Sequence, residues 1–142
     1  MLYAKCIYKS QIAKDKKEFE YRKDEENHVY CVGEITESHE KMENLYCVPL
    51  NFIYDCLKYG DYIAVIDMND NKPYINKSSY MGLEKASKSQ YVTNIINAYS
   101  KEGIDFVFSE VKDSQLIHEG YIEFLPQNLQ DYFHKLKNNN GI

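Results

Sequence analysis

The apolar stretches of this chain are all short, and that limits its fold more than any other feature. Runs rich in Val, Ile, Tyr and Cys, such as Leu2 to Lys9, Leu45 to Leu50 and Asp61 to Met68, end in polar, turn-forming clusters. Runs of this length and composition suit strands, and they fall far short of the roughly 18 apolar residues that a membrane-spanning helix needs. The 142 residues suit one domain, because domains peak at roughly 100 to 150 residues. At this length folding buries roughly 68 to 70% of the unfolded surface. The expectation is a single domain over residues 1–142 whose core needs neither disulfide nor metal.

Leu2 to Lys9 alternates, with Ala4 and Cys6 on one face and Lys5 and Ile7 on the other. The same period makes Glu18 to Lys23 a half-buried strand carrying Phe19 and Tyr21 on one face. His28 to Ile35 reads as a third strand and Thr36 to Asn44 as a charged connector. Leu45 to Leu50 follows as a strand whose Pro49 suits an edge or a strand end. Asn51 is the expected N-cap of a short helix that Gly60 stops. Asp61 to Met68 then turns through Asn69 to Lys72 into Pro73 to Lys77, a second hairpin.

The stripe Tyr91, Val92, Ile95 and Tyr99 has helical spacing, Ser87 and Gln90 have capping-box spacing, and Gly103 supplies a stop. Together they predict the longest helix over Lys88 to Lys101. Ile104 to Val111 and Gln115 to Leu125 read as a last hairpin, and Pro126 opens a final helix bearing Leu129, Tyr132, Phe133 and Leu136. This order predicts an α+β fold, a mainly antiparallel sheet built from hairpins with about three helices packed on it.

The net charge of -5 and pI near 5.4 give no global attraction to a phosphate backbone. Lys14, Lys16, Lys17, Arg22 and Lys23 interleave with Phe19 and Tyr21, but Glu18, Glu20, Asp24, Glu25 and Glu26 cancel their field. Nucleic acid is therefore not the favoured partner. Met1 to Ser10 shows no secretory pattern, and Cys6, Cys31, Cys47 and Cys56 all sit in apolar stretches without CxxC spacing. Buried thiols in a reducing, cytoplasmic setting are expected. Arg22 is the only arginine among abundant Lys, Asn, Ile and Tyr, the codon bias of an AT-rich genome, which points to a low-GC bacterium or its phage.

The most specific chemical pattern is Phe106-Val107-Phe108-Ser109-Glu110-Val111-Lys112, an apolar strand ending in E-x-K. It resembles the active-site strand of the PD-(D/E)xK nucleases, with Asp67 as the second acid. That resemblance implies Mg²⁺ held by Asp67 and Glu110, with Lys112 near an attacking water. It covers these residues alone: no proline precedes Asp67, and a helix is expected between Asp67 and Glu110.

Asp67, Asn69 and Asn71 match the first donors of a calcium loop, but Lys72 and Ser78 stand where glycine and glutamate are needed. His28 and Cys31 would point to opposite faces of a strand, and His39 with Glu43 has helical spacing inside a very polar connector that reads as solvated. No metal or other cofactor is expected. Glycine-rich phosphate loops are absent.

What stands out is aromatic load: fourteen tyrosines against six phenylalanines and no tryptophan. Tyrosine offers large contact area at protein interfaces, and Tyr54, Tyr59, Tyr74 and Tyr80 fall in or beside connectors, off the clearest apolar faces. The expected function is a small non-enzymatic binding or inhibitory protein that engages a host protein through a Tyr- and acid-rich surface. Codon bias adds the expectation of a phage inhibitor of host defence, of the anti-CRISPR kind. A metal-dependent nuclease using Asp67, Glu110 and Lys112, and a sponge for a nucleotide signal, are the alternatives. Homo-oligomerisation is left open.

Overall fold

The computed structural model describes residues 2–40, 43–57, 59–68, 75–77, 84–111, 113–117 and 119–140. Among the described residues seven strands form one sheet: β1 (Leu2–Ile7), β2 (Ile35–Glu37), β3 (Leu45–Pro49), β4 (Tyr62–Asp67), β5 (Ile75–Lys77), β6 (Glu84–Ser87) and β7 (Ser89–Asn97). Their order is β2-β7-β4-β1-β3-β6-β5, and the strands pair antiparallel throughout. The α-helices among the described residues are α1 (Lys16–Arg22), α2 (Lys101–Glu110), α3 (Glu119–Glu123) and α4 (Gln127–Asn140). The fold is α+β with a mainly antiparallel sheet, as the order of short runs predicts. No helix among the described residues is long and apolar enough to cross a membrane.

β4 lies between β1 and β7 and is the most buried strand. Ile63 and Val65 face one side with Ala4 and Ile96, where Ile104, Val107, Tyr121, Ile122 and Phe133 from α2, α3 and α4 cover them. Ala64 and Ile66 face the other side with Tyr3, Ile7 and Val92, under Tyr30. A strand buried on both faces reads as a continuous apolar run, which is why Asp61 to Met68 is the clearest strand in the sequence.

Several expectations are corrected. Lys88 to Lys101 is not a helix: β7 is the longest strand, and its pairing with β4 slips between Val65↔Asn94 and Ile66↔Val92. That bulge inserts Thr93 and reverses the alternation, so Val92 and Ile95, three residues apart, share a face as they would on a helix. Ile104 to Val111 is α2 instead of a strand, capped by the Ser100 hydroxyl, which accepts from the Gly103 amide at 3.1 Å. Gly103 therefore lies in the first turn of a helix. Gln115 to Leu125 holds α3 and a 3-10 turn at Ser114–Leu116, and its buried Ile117, Tyr121, Ile122 and Leu125 have helical spacing.

Glu18 to Lys23 lies in α1, whose Asp15 N-cap accepts from the Glu18 amide at 2.9 Å. Phe19 is buried there while Tyr21 is 90% exposed, because residues two apart on a helix do not share a face. Residues 28–34 form no strand beyond one bridge from Tyr30 to Ile12, and β2 begins at Ile35. Finally, β5 pairs with β6 and not with β4. Pro49 ends β3, which lies inside the sheet, and the segment after it is a 3-10 helix, Leu50–Asp55.

Gly60 sits against β1. A Cβ there would lie 2.5 Å from the Ile7 carbonyl oxygen, and backbone in a central strand cannot move aside. Gly60→Ala is expected to lower Tm by roughly 3 to 10 °C through overpacking. Gly120→Ala, on a helix with open space around it, should leave Tm unchanged or raise it; equal losses at both sites would show that the Ile7 contact is not what requires glycine.

Candidate functional site

β1 pairs with β4 along its whole length, from Leu2 to Ile7, yet with β3 only at Tyr3 and Ala4. Beyond Ala4 the two strands part. The gap is a cleft of about 320 Å³ lined on one side by Lys5, Cys6 and Ile7 and on the other by residues 43–48, with Gln11, His28, Tyr30, Cys56 and Tyr59 around it. The 3-10 turn Lys9–Gln11 and the extended stretch through Tyr30 cross the sheet here, tied by the Tyr30 amide donating to the Gln11 carbonyl at 2.7 Å and the Ala13 amide to the Tyr30 carbonyl at 2.9 Å.

Lys5 is the chemical centre of the cleft. Its Nζ donates to the Tyr30 hydroxyl at 2.6 Å and to Gln90 Oε1 at 3.1 Å. Gln90, fully buried on β7, in turn donates through Nε2 to the Tyr46 carbonyl at 3.1 Å. The residue that the sequence offers as part of a helical capping box is thus the polar tie between three strands. Among the described residues no carboxylate lies within ion-pair distance of Lys5, so its ammonium is held by neutral acceptors.

His28 and Glu43 also line the cleft. His28 Nε2 is buried without a hydrogen-bond partner and faces Glu43 Oε2 at 3.5 Å. The His39 ring stacks on the His28 ring, centroids 4.2 Å apart. Burial pushes the His28 imidazole below its usual range; Glu43 acts in the opposite sense, and His39 and Lys5 add to the depression.

A second surface lies near the far end of β1. Tyr8, Gly60, Asp61, Tyr99 and Phe124 border a groove of about 490 Å³. Tyr8 and Phe124 are 58% and 78% exposed there, and Tyr59, next to Gly60 in the chain and 60% exposed, lines the cleft. Of the tyrosines singled out from sequence, Tyr59 is exposed and lines the cleft. Tyr54 is half-buried against the helix-side core, its ring 5.9 Å from that of Phe52. Tyr74 and Tyr80 lie outside the described residues, as do most of the calcium-like loop after Asp67 and Met68, and also Lys112.

The nuclease pattern loses its strand. Asp67 ends β4, opposite Leu2 and Tyr91, whereas Glu110 is the last residue of α2. The one-face alternation that an E-x-K strand provides does not exist on a helix. The four cysteines carry thiols, and Cys6 Sγ lies 3.6 Å from Cys56 Sγ. That contact, then burial, holds the Cys6 thiol well above its usual range.

Sequence reasoning missed Lys5, Tyr30 and Gln90 as a unit, and Tyr8 and Phe124 as surface. Nothing local marks them: Lys5 and Gln90 are 85 residues apart. Comparison with protein-family models, with curated proteins and with solved structures finds no match for this chain.

Replacing Gln90 with leucine would leave the Tyr46 carbonyl unpaired and remove one acceptor from Lys5. The expected cost is about 1 to 3 kcal/mol, read as a lower urea midpoint at unchanged slope. An unchanged midpoint would show that the tie contributes nothing to stability.

Proposed function

We propose that this is a non-enzymatic binding protein that engages a protein partner through the aromatic surface around Gly60 and Asp61. The observation that carries this reading is the exposure of Tyr8 and Phe124 on the groove, with Tyr59 exposed on the cleft next to Gly60 in the chain. Large aromatic rings left in water gain most from being covered, and such rings anchor protein interfaces when they cluster. Asp61 supplies an acid on the groove wall that would favour a partner with a basic patch. Phage origin and inhibition of a host-defence protein are the finer form of this proposal, supported by codon bias alone.

The test is a pull-down from a nuclease-treated lysate of a low-GC host, comparing the native sequence with the Tyr59→Ala/Phe124→Ala double variant. We expect one near-stoichiometric protein with the native sequence and at least a tenfold loss with the variant, since truncating two anchor residues costs about 2 kcal/mol or more. Equal capture by both would overturn the surface assignment.

A second reading, the nucleotide-signal sponge, is favoured by one observation: the Lys5 ammonium in a cleft bordered by Tyr30, Tyr46 and Tyr59. Signalling nucleotides at 100 times their dissociation constant should then raise stability by about 2.7 kcal/mol, visible as a higher Tm that Lys5→Met abolishes. A Tm indifferent to every nucleotide removes this reading and leaves the protein-binding one standing.

A further inference from the structure

We propose that His28, His39 and Glu43 form a binding site for a divalent transition-metal ion of the zinc class. Among the described residues theirs is the one group of three or more His, Cys, Asp and Glu side chains whose donor atoms converge, all lying within 4.8 Å of one another. Donors bound to a single tetrahedral zinc at 2.0 to 2.1 Å sit roughly 3.3 Å apart. The 3.5 Å between His28 Nε2 and Glu43 Oε2 is close to that spacing already, and modest side-chain rotation would bring in His39.

Three further observations fit coordination. The first is the His28 Nε2 atom, buried and without a hydrogen-bond partner. Buried polar atoms are nearly always satisfied, and this one has the 3.5 Å approach of Glu43 Oε2 in place of a hydrogen bond. The second is the tautomer of His39. Its Nε2 lies 3.1 Å from the Lys23 carbonyl oxygen, and a carbonyl only accepts, so Nε2 carries the hydrogen and Nδ1 keeps the lone pair. A ring N–H donated to a backbone carbonyl is the usual support of a metal-bound histidine.

The third is the anchoring of the segments. The Ser38 amide donates to the Lys88 carbonyl at 2.8 Å, and Lys88 Nζ donates to the Glu43 carbonyl at 2.5 Å, fixing both ends of the connector to the sheet. Gln11 Nε2 donates to the His28 carbonyl at 3.2 Å.

The donor set selects the ion. Two imidazoles and one carboxylate suit Zn²⁺, Co²⁺ or Fe²⁺ better than Ca²⁺ or Mg²⁺, which take oxygen donors, or Cu⁺, which prefers sulfur. Three protein ligands leave at least one position on a tetrahedral ion for water or another ligand. Because His28 and Glu43 also line the cleft that holds Lys5, a molecule seated there would lie beside the ion.

The test uses untagged, chelator-treated protein titrated with Co²⁺ in the absorption spectrometer and with Zn²⁺ in the calorimeter. The expected result is one ion per chain, visible ligand-field bands without thiolate charge-transfer absorption, and affinity roughly tenfold weaker or worse in both Glu43→Gln and His39→Ala. Both residues are at least partly exposed, so these variants should keep the native Tm in the absence of metal, which a parallel melt checks. No binding below millimolar metal, binding unchanged in both variants, or thiolate charge-transfer bands that place the ion on the cysteines would each overturn the proposal.

Discussion

Hydrogen bonding along both edges of β4 is the constraint on which the rest of this structure depends. Every residue from Tyr62 to Asp67 pairs with β1, and the same strand pairs with β7 across a bulge. With both edges satisfied, β4 can be buried on both faces without stranded backbone groups, and Ile63, Ala64, Val65 and Ile66 each reach the interior. The helices then have a single apolar face to cover, and α2, α3 and α4 all settle on it through Ile104, Val107, Tyr121 and Phe133. Among the described residues the opposite face has no such layer of long helices. It is closed by a cross-over segment with Tyr30 at its centre and by the small cluster of Ala13, Phe19, Val29 and Cys31.

That unequal cover is what creates places for chemistry. A helix layer excludes water evenly, whereas a single crossing segment leaves gaps at its margins. One gap opens where β1 parts from β3, and Lys5, which would be solvated on a plain surface, is instead held there by Tyr30 and Gln90. The polar connector before β3 folds back onto the same margin and sets Glu43 and His39 against His28. The aromatic groove at Gly60 has a related origin: the close approach of Gly60 to Ile7 leaves no room for a side chain, so the rings of Tyr8 and Phe124 stand out around a low point.

Several elements were legible because their signals are local. Leu2 to Ile7, Leu45 to Pro49 and Tyr62 to Asp67 are strands, and Pro126 does precede α4. The errors share a physical cause. Val92 and Ile95 mimic a helix because the bulge at Thr93 shifts the pleat, and a bulge is fixed by the partner strand. Phe106, Val107 and Phe108 look like a strand because a short apolar run carries no period, and only packing shows Ile104, Val107 and Val111 as one helical face. In α1 the signal was present: Asp15 followed by Glu18 is a capping pattern, but the alternation of Phe19 and Tyr21 competed with it.

The sequence by itself determined the class of fold, the central strands, the acidic charge and the last helix, since each follows from composition or from residues near in the chain. Tertiary structure alone decided the strand order, the bulge, the fate of the middle helix and the sites. Lys5 meets Gln90 across 85 residues, and His28 meets His39 and Glu43 only because two connectors fold onto one margin of the sheet. Local propensity acts over a few neighbouring residues, whereas these meetings depend on how separate segments pack, which no local pattern encodes.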